Sequence, residues 1–505
     1  MAEHTNGRCF FILSCARSGS TSLARILDTA KNGLCAVEPM PNLNRETREM
    51  MEGRISNPMA VLESTVLPRV LEMLGKAEVY GEKNVTYGPF IQYLYEALKC
   101  KFVFMKRDGR DVVTSLINWH EKKFGSVYRE CKETGNLSEA AIKASANLQV
   151  HWDTSDYSRP RPSRGDPLYD EWDDLTRAEM CAYYWSTINE LYLDRLQQLP
   201  DNAWITVDYT SPRLEDIEKI AEFCGLKGLD KEGVRNMLHQ KINSLQDRGA
   251  SADDFYPNWK DWDSGMRRRF DRIASKTMYR LGYYKLDGGN WLPAGYGNWW
   301  REHNGGLEWY TWMYNSRRKM HHDLVHWVNQ KEHQGDEILS IADFGCGLGV
   351  GYCDDFAEKR YIGIDLSEKN VQWCNENRKN PGHRYCAMDF IAKPLEEQVD
   401  LVCSSGTIDN GYDFDAFLIS MVQSSKKWIY LTLYRGWFPD LKEHKYHWSD
   451  EHLCFYTDGS PKRIRETLAQ LGCSEIIIEP VPTGRQDIPF ETRVIARVPD
   501  SDERK

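Results

Sequence analysis

A short turn near the N-terminus combines residue types that bind oxyanions. The stretch FFILSCARSGSTSLARIL, residues 10–27, runs from an apolar strand-like segment through CARSGSTS into a helical pattern. Unpaired backbone N–H groups and the positive end of a helix dipole favour phosphate or sulfate at such a turn, and Arg17 adds a permanent planar cation. The turn lacks the first glycine and the lysine of a G-x-x-x-x-G-K-[ST] nucleoside triphosphate loop. It therefore predicts an oxyanion site of another kind.

The turn resembles the donor loop of sulfotransferases that use 3'-phosphoadenosine 5'-phosphosulfate (PAPS), in the arginine-loop group to which tyrosylprotein sulfotransferases belong. The match is carried by Arg17, Ser18, Gly19, Ser20 and Thr21. The resemblance implies that the loop N–H groups and the hydroxyls of Ser20 and Thr21 hold the 5'-phosphate of PAPS. The alternative is a helix that Ser and Thr cap without any ligand.

The second signature of that family is a strand that leads into R-D-P-R-x-x-x-x-S. Here KFVFMKRDGRDVVTSLINWH, residues 101–120, places Arg107 at the end of a strand and Ser115 in the helical pattern that follows. The resemblance implies that Arg107 and Ser115 hold the 3'-phosphate of the donor. Gly109 stands where proline is frequent, and glycine supplies the turn at a greater entropic cost.

Sulfuryl transfer needs charge stabilisation on the leaving side and a base on the entering side. The resemblance implies that Glu38, in LCAVEPMPN twenty-one residues after Arg17, is the general base, and that Arg17 stabilises the departing phosphate without a metal. The alternative for Glu38 is an ordinary surface glutamate. The segment 119–180 either shapes the acceptor pocket or forms a solvated loop.

A second glycine-rich turn follows a strand in ILSIADFGCGLGVG, residues 338–351. Asp343 ends the strand, and Gly345, Gly347 and Gly349 follow. A dinucleotide fold requires G-x-G-x-x-G. Neither pair of glycines completes that pattern, because Val350 or Tyr352 stands at the third position.

This turn resembles motif I of class I methyltransferases that use S-adenosylmethionine (SAM). The resemblance implies that Asp365 accepts the ribose hydroxyls, that Asp389 meets the adenine amine, and that the segment from Ser404 to Asp409 lies beside the methyl group. A degenerate NAD domain is the alternative. Candidates to orient or deprotonate a methyl acceptor follow strands that face the pocket in this fold: they are Asp409, Tyr434, Arg435, His444 and His447.

Histidines and tryptophans cluster ahead of this second turn. His322 and His326 share a helix face with metal-ligand spacing, but the glutamate of H-E-x-x-H is missing, so RRKMHHDLVHW favours an amphipathic covering helix. The tryptophans either stack on a sugar, cap the SAM pocket or join two domains; they are Trp291, Trp299, Trp300, Trp309 and Trp312.

The elements around both turns predict an α/β protein with two doubly wound domains. A P-loop-like sulfotransferase domain is predicted over residues 1–285, a linker over 286–300 and a Rossmann-like class I methyltransferase domain over 301–505. Strands are predicted at 101–107 and 202–209 in the first half and at 360–365, 399–406, 427–434, 474–481 and 492–498 in the second, with a late hairpin.

Composition narrows the partners. The 505 residues include 65 basic and 75 acidic ones, a formal net charge of -10 that opposes sequence-independent binding to nucleic acid or to an anionic membrane. Neither a signal peptide nor a long apolar run is evident, so we expect a cytoplasmic protein. The fourteen scattered cysteines predict buried thiols, and the oligomeric state stays open.

The leading hypothesis is a bifunctional tailoring enzyme. It would transfer a sulfuryl group from PAPS to an acceptor hydroxyl and a methyl group from SAM to the same or a related glycan or secondary-metabolite scaffold. The alternative is an active sulfotransferase whose C-terminal methyltransferase-like domain is a non-catalytic binding or scaffolding module.

Overall fold

A computed structural model describes residues 7–123, 127–128, 130–132, 158–239, 256–287, 289–302 and 306–499. The chain divides into two units. Unit 1 comprises Met1–Trp259 and Arg269–Tyr283, and unit 2 comprises Lys260–Arg268 and Tyr284–Lys505.

Unit 1 is built on a five-stranded, fully parallel sheet in the order β2-β3-β1-β4-β5. Its strands are β1 (Cys9–Leu13), β2 (Gly33–Val37), β3 (Val79–Lys83), β4 (Lys101–Lys106) and β5 (Trp204–Asp208). The run CFFIL forms a central strand because all five of its side chains are buried between flanking layers. The strands predicted at 101–107 and 202–209 are confirmed.

The helices of unit 1 cover both faces of this sheet. They are α1 (Ser20–Leu27), α2 (Asn44–Met51), α3 (Pro58–Ser64), α4 (Val66–Leu74), α5 (Ile91–Leu98), α6 (Gly109–Lys123), α7 (Arg177–Leu196), α8 (Leu214–Cys224) and α9 (Lys231–His239); α10 (Ser264–Arg280) belongs to unit 1 from Arg269. In α8, Ile217, Ile220 and Cys224 recur at helical spacing and are buried, which fits an apolar stripe against the sheet.

Unit 2 is built on a seven-stranded sheet in the order β10-β9-β8-β11-β12-β16-β15. Its strands, with those of two separate hairpins, are β6 (Tyr284–Asp287), β7 (Asn290–Pro293), β8 (Ser340–Phe344), β9 (Arg360–Asp365), β10 (His383–Ala387), β11 (Val399–Ser405), β12 (Ser425–Leu433), β13 (Lys445–Ser449), β14 (Cys454–Asp458), β15 (Ser474–Pro482) and β16 (Phe490–Arg497). The first five strands of the order are parallel, whereas β16 pairs antiparallel with β12 and β15. The five strands and the late hairpin predicted for this half are confirmed.

Some helices of unit 2 precede β8, and the others follow it. They are α11 (Asn298–Glu302), α12 (Gly306–Ser316), α13 (Arg318–His333), α14 (Tyr352–Asp355), α15 (Glu368–Asn377), α16 (Phe414–Ser424) and α17 (Pro461–Gln470). The segment predicted as a linker, residues 286–300, lies within unit 2 and forms most of the β6–β7 hairpin and the start of α11. Leu292 and Tyr296 belong to the core of this unit, which explains why the segment packs there.

The structure also describes the environment of the cysteines and the apolarity of the helices. Twelve of the fourteen cysteines are buried, so the prediction of buried thiols is confirmed. Within the described ranges, every helix falls short of the length and apolarity needed to cross a membrane.

Candidate functional sites

The glycine loop of unit 2 begins where β8 ends. Gly345 has φ +89°, and a Cβ built on it would lie 2.1 Å from Thr407 Oγ1, so only glycine fits this approach to the segment after β11. Asp343, buried on β8, accepts a hydrogen bond of 2.7 Å from the Tyr361 hydroxyl. Burial raises the pKa of Asp343 to about 7. Asp343 therefore joins β8 to β9 through Tyr361.

Asp365 ties the end of β9 to this loop. Its carboxylate accepts the Gly347 N–H at 2.9 Å and the Ser367 N–H at 2.8 Å, and Asn370 donates to it at 3.3 Å. Burial raises the pKa of Asp365, while the backbone N–H groups oppose that rise. A carboxylate has about four lone-pair positions, so Asp365 keeps capacity for a ligand hydroxyl.

Asp389 follows β10, the next strand of the sheet. It accepts the Ile391 and Ala392 N–H groups at 3.0 and 3.2 Å and the Tyr412 hydroxyl at 3.1 Å. Burial raises the pKa of Asp389, and these hydrogen bonds oppose the rise. The carboxylate is thereby fixed at the sheet edge.

A cavity of about 180 Å³ lies at this edge of unit 2. Four of the predicted donor-binding residues line it, namely Gly345, Gly347, Asp365 and Asp389. Further lining residues come from the helices ahead of β8 and are mostly aromatic: Trp300, Trp309, Tyr310, Met313 and Tyr314. Tyr310 packs so closely that a Cβ on Gly347 would lie 2.3 Å from its ring. Two of the five predicted tryptophans thus line this cavity, while Trp312 is 63% exposed.

Three predicted donor-binding residues take supporting positions outside the cavity lining. Asp343 is one of them. Ser404 is buried and its hydroxyl donates to the Phe344 carbonyl at 2.8 Å, which joins β11 to β8. Gly349 contributes a carbonyl that accepts a hydrogen bond from the Cys353 thiol. The neighbours Ser405, Gly406 and Thr407 line the cavity in place of Ser404.

The five predicted acceptor residues also lie outside the cavity lining. Asp409 is fully buried and accepts the Tyr434 and Arg435 N–H groups at 3.2 Å, and burial raises its pKa to about 7. His444 is buried against Phe414, and His447 lies between Asp261 and Asp458 at 3.0 Å from each. Neighbouring backbone and carboxylate groups hold Asp409 and His447 in place, and a role of the five residues toward a methyl acceptor stays a prediction.

The histidine cluster ahead of β8 is part of an amphipathic helix. In α13, Met320, His321, Leu324 and Val328 are buried, as the covering-helix interpretation predicts, and His321 lines the cavity. Among the described residues, groups of side chains that could hold a metal ion were not found.

Arg317 also lines this cavity, although no sequence motif marks it. Its guanidinium donates to Glu491 at 2.6 Å, to Ser405 Oγ at 2.9 Å and to Thr432 Oγ1 at 3.0 Å. Arg317 and Glu491 are 174 residues apart, so no local pattern reveals the pair.

In unit 1, the arginine turn follows β1. Arg17 has φ +69° and Gly19 has φ +93°, and a Cβ on Gly19 would lie 2.9 Å from the Tyr209 ring. Helix α1 begins at Ser20 without a side-chain hydrogen bond at its cap, which disagrees with the capping alternative. Ser18 and Ser20 are 2% and 3% exposed, and Thr21 is half-buried.

Arg17 meets both residues of the second signature. Its Nε donates to Ser115 Oγ at 3.3 Å across 98 residues, and Arg107 Nη1 donates to the Arg17 carbonyl at 3.0 Å. The Arg17 guanidinium also lies 3.9 Å from the ring centroid of Trp119. The structure thus brings Arg17, Arg107 and Ser115 into one cluster.

This cluster concentrates positive charge. Burial, and then the neighbouring charge of Arg107, lower the pKa of Arg17 to about 10. Within the described ranges, Arg107 Nε is buried and has no hydrogen-bond partner. Two guanidinium groups close together, one with an unused N–H donor, favour the binding of an oxyanion.

Packing against Trp185 explains why glycine stands at position 109. A Cβ at this position would lie 2.7 Å from the Trp185 indole, and Trp185 Nε1 donates to the Arg107 carbonyl at 3.2 Å. The glycine therefore lets Trp185 buttress the turn that carries Arg107.

Glu38 follows β2, and its backbone has φ +46°. Both predicted catalytic residues thus adopt left-handed backbone, which is uncommon for residues other than glycine and clusters at functional sites. Lys83, at the end of β3, donates to the Glu38 carboxylate, and the Glu38 N–H donates to the Lys83 carbonyl at 2.8 Å. No sequence motif marks Lys83, because lysine is ordinary at the end of a strand; the structure shows that its side chain is only 5% exposed.

The predicted acceptor region of unit 1 is described only in part. Residues 124–126, 129 and 133–157 lie outside the described residues. Beyond this region, on α7, Tyr184 accepts the Ala16 N–H at 2.9 Å, and burial raises the pKa of Tyr184. Tyr184 therefore supports the arginine turn from helix α7.

Comparisons with known proteins bear on unit 2. A family model described as "Methyltransferase domain" matches residues 342–427. Among curated proteins, none matches the sequence.

Similar solved structures include three methyltransferases. Magnesium protoporphyrin IX methyltransferase (ChlM) from Synechocystis PCC 6803 with bound SAM is 16% identical, with 43% of this chain and 99% of that chain covered and a TM-score of 0.30. The 1,6-didemethyltoxoflavin-N1-methyltransferase of Burkholderia thailandensis is 14% identical over 36% of this chain and 78% of that chain, with a TM-score of 0.29. N-methyltransferase NodS from Bradyrhizobium japonicum WM9 is 11% identical, with 37% of this chain and 88% of that chain covered and a TM-score of 0.28.

The family match begins on β8 and ends on β12, so it spans the glycine loop, Asp365, Asp389 and the strand ends that line the cavity. The C-terminal region of this α/β chain therefore contains a Rossmann-like methyltransferase domain.

Proposed function

We propose that unit 2 is a SAM-dependent methyltransferase. The observation that carries the proposal is the joint placement of the glycine loop and Asp365, which share the Gly347 hydrogen bond at the wall of the cavity. The residues present fit the donor: Asp365 would hold the ribose hydroxyls, and Asp389 the adenine amine beside Phe390 and Ile391. SAM supplies a methyl group on a sulfonium centre.

The residues of unit 2 would bind the SAM donor, orient its methyl group and exclude water from it. Gly345 lets the loop backbone approach the segment after β11, so the methyl-bearing end would meet Ser405 and Thr407. The aromatic wall of Trp300, Trp309 and Tyr310 would exclude water and suits a cationic donor, since aromatic faces attract cations.

Asp365→Ala should weaken binding of S-adenosylhomocysteine (SAH) by roughly 100-fold, because hydrogen bonds to a charged group contribute about 1.5–3 kcal/mol each. Isothermal titration of the full chain measures the change. Asp354→Ala is the matched control, as Asp354 lies after the same loop but is 69% exposed, and it should bind SAH as the unmodified protein does. Equal affinities in both variants would contradict the role of Asp365.

We further propose that unit 1 transfers a sulfuryl group from PAPS to an acceptor hydroxyl. The supporting observation is the cluster of Arg17, Arg107 and Ser115 beside the N-terminus of α1. Arg107 and Ser115 would hold the 3'-phosphate. The loop with Ser18, Gly19, Ser20 and Thr21 would hold the 5'-phosphate.

The catalytic roles follow from charge and position. Glu38 would take the proton of the acceptor hydroxyl as the new O–S bond forms, and Lys83 would hold the Glu38 carboxylate in place. Arg17 would stabilise the negative charge on the phosphate oxygen that the broken S–O bond leaves behind. Both units together support a bifunctional tailoring enzyme that acts on one scaffold or on related scaffolds.

Adenosine 3',5'-bisphosphate, the desulfonated donor product, should raise the thermal midpoint of the full chain by several degrees, since a ligand that binds only the folded state stabilises it. Arg107→Ala should remove most of that rise. Arg25→Ala is the control, because Arg25 is exposed on α1 and should keep the rise. The absence of any shift in the unmodified protein would contradict PAPS binding.

A further inference from the structure

Arg317 lies at the start of α13, and its hydrogen-bond partners among the described residues leave one donor unused. A guanidinium has five N–H groups. Glu491 accepts from Nε and Nη2, Thr432 from Nη2, and Ser405 from Nη1. These bonds use the Nε hydrogen, both Nη2 hydrogens and one Nη1 hydrogen. The second N–H of Nη1 therefore remains available to a ligand.

Arg317 lies at the cavity of unit 2. Arg317, Ser405 and Gly406 all line that cavity. Gly406 has φ +66°, and a Cβ there would lie 2.2 Å from Arg317 Nη1. Glycine at 406 is thus what permits the guanidinium to reach the end of β11.

The surroundings of Arg317 hold it rigidly and offset its charge. Its side chain is 9% exposed, and that of Glu491 is 3% exposed. Asp409 is the second carboxyl group near Arg317 and is itself bonded to two backbone N–H groups. Recognition here would depend on directed hydrogen bonds and not on a net positive charge.

His321 lies one helical turn after Arg317 and lines the same cavity. The residue is 8% exposed, and its Nδ1 is buried with no hydrogen-bond partner in the part of the chain that the structure describes. The imidazole packs between Tyr314 and Tyr352, at 4.5 and 4.9 Å between ring centroids. Burial, and then the charge of Arg317, lower the pKa of His321 to about 3, so the ring is neutral and carries one N–H donor.

We propose that Arg317 and His321 form a carboxylate-binding subsite at this end of the cavity. An oxygen anion satisfies the spare Nη1 donor, and a second contact with the imidazole fixes its orientation. Two ligands can bring such a group: the amino-acid end of the SAM donor, or a methyl acceptor that is itself a carboxylic acid. The donor source rests on the proposed methyltransferase function.

The test compares ligands with and without a carboxylate. SAH carries one, and 5'-methylthioadenosine lacks it but keeps the adenosine. Arg317→Lys retains a cation opposite Glu491, which avoids an unpaired buried charge, and removes the planar fork. His321→Phe retains the ring packing between the two tyrosines and removes both nitrogens. Arg384→Lys, on the exposed face of β10, is the control.

If the donor is the source, Arg317→Lys should weaken SAH binding by about 10- to 100-fold, and His321→Phe should weaken it in the same direction. The affinity for 5'-methylthioadenosine should change by less than about threefold in both. A merely structural role would lower both affinities alike, and that result would overturn the proposal. Titration calorimetry on the full chain, with circular dichroism to confirm folding, measures both ligands.

If the acceptor is the source, SAH binding stays unchanged and benzoate becomes the probe. In the presence of saturating SAH, benzoate should then raise the thermal midpoint of the unmodified protein and of Arg384→Lys, whereas benzamide should not, and Arg317→Lys should lose the rise. When neither SAH nor benzoate distinguishes Arg317→Lys from the unmodified protein, the subsite does not exist. Failure of SAH to bind the unmodified protein would instead contradict the proposed function, and benzoate alone then tests Arg317.

Discussion

Replacing Glu38 by glutamine should reduce sulfuryl transfer by about 10²- to 10⁴-fold, the contribution typical of a general base. Glutamine keeps the shape of the side chain and can still accept a hydrogen bond from Lys83, but it cannot take a proton from the acceptor. Transfer is measured as sulfation of 4-nitrophenol with PAPS as the donor. Binding of adenosine 3',5'-bisphosphate should stay within about twofold, because the arginine cluster is left intact.

Glu78→Gln is the matched control for this variant. Glu78 is 62% exposed and precedes β3, so its loss should leave transfer unchanged. A Glu38→Gln protein that retains more than half of the unmodified rate would show that another group is the base. Joint loss of transfer and of bisphosphate binding would show that Glu38 shapes the donor site and is not the base.

Replacing Gly345 by alanine should reduce SAH affinity by more than about 100-fold, as estimated from the loss of several donor contacts at once. The new Cβ would lie 2.1 Å from Thr407 Oγ1 and 2.7 Å from Thr407 Cβ, so the loop and the segment after β11 must separate. Alanine at φ +89° adds about 1–2 kcal/mol of backbone strain. Titration calorimetry measures the affinity, and the thermal midpoint measures the strain.

Gly335→Ala separates the two effects. Gly335 has φ +87°, yet a Cβ there has no atom within 4 Å, so this variant carries the backbone strain without the collision. It should lose stability as Gly345→Ala does from strain, and it should bind SAH normally. Equal SAH affinity in the two variants would show that the close approach at Gly345 does not shape the donor site.

Most of the sheet strands were predictable because their apolar runs are buried and bounded by turn residues. The runs KFVFMK and RYIGID became β4 and β9 at nearly the expected residues. The segment 286–300 was harder, since its Gly and Pro content is typical of a linker, and only Leu292 and Tyr296 in the core of unit 2 show that it packs.

The candidate sites were predictable where a local pattern carries them. Short motifs mark the glycines that need positive φ and the acids that end strands, as with Gly345 and Asp365. Partners that come from distant segments leave no such pattern. Lys83 beside Glu38 and Glu491 beside Arg317 are separated by 45 and 174 residues, and Ser404 differs from Ser405 only in which face of β11 it occupies.

By itself, the sequence determined the two strand-turn-helix starts, the polarity of each turn and the α/β class, because these depend on local periodicity and on residues tolerant of unusual backbone. Strand order was decided only in the tertiary structure. In unit 1 the order β2-β3-β1-β4 sets Glu38, Lys83, Arg17 and Arg107 along one edge, since parallel strands end together. In unit 2 the same rule gathers Asp389, Asp365, Gly345 and Thr407. The helix cover then adds Arg317, whose place no linear spacing encodes.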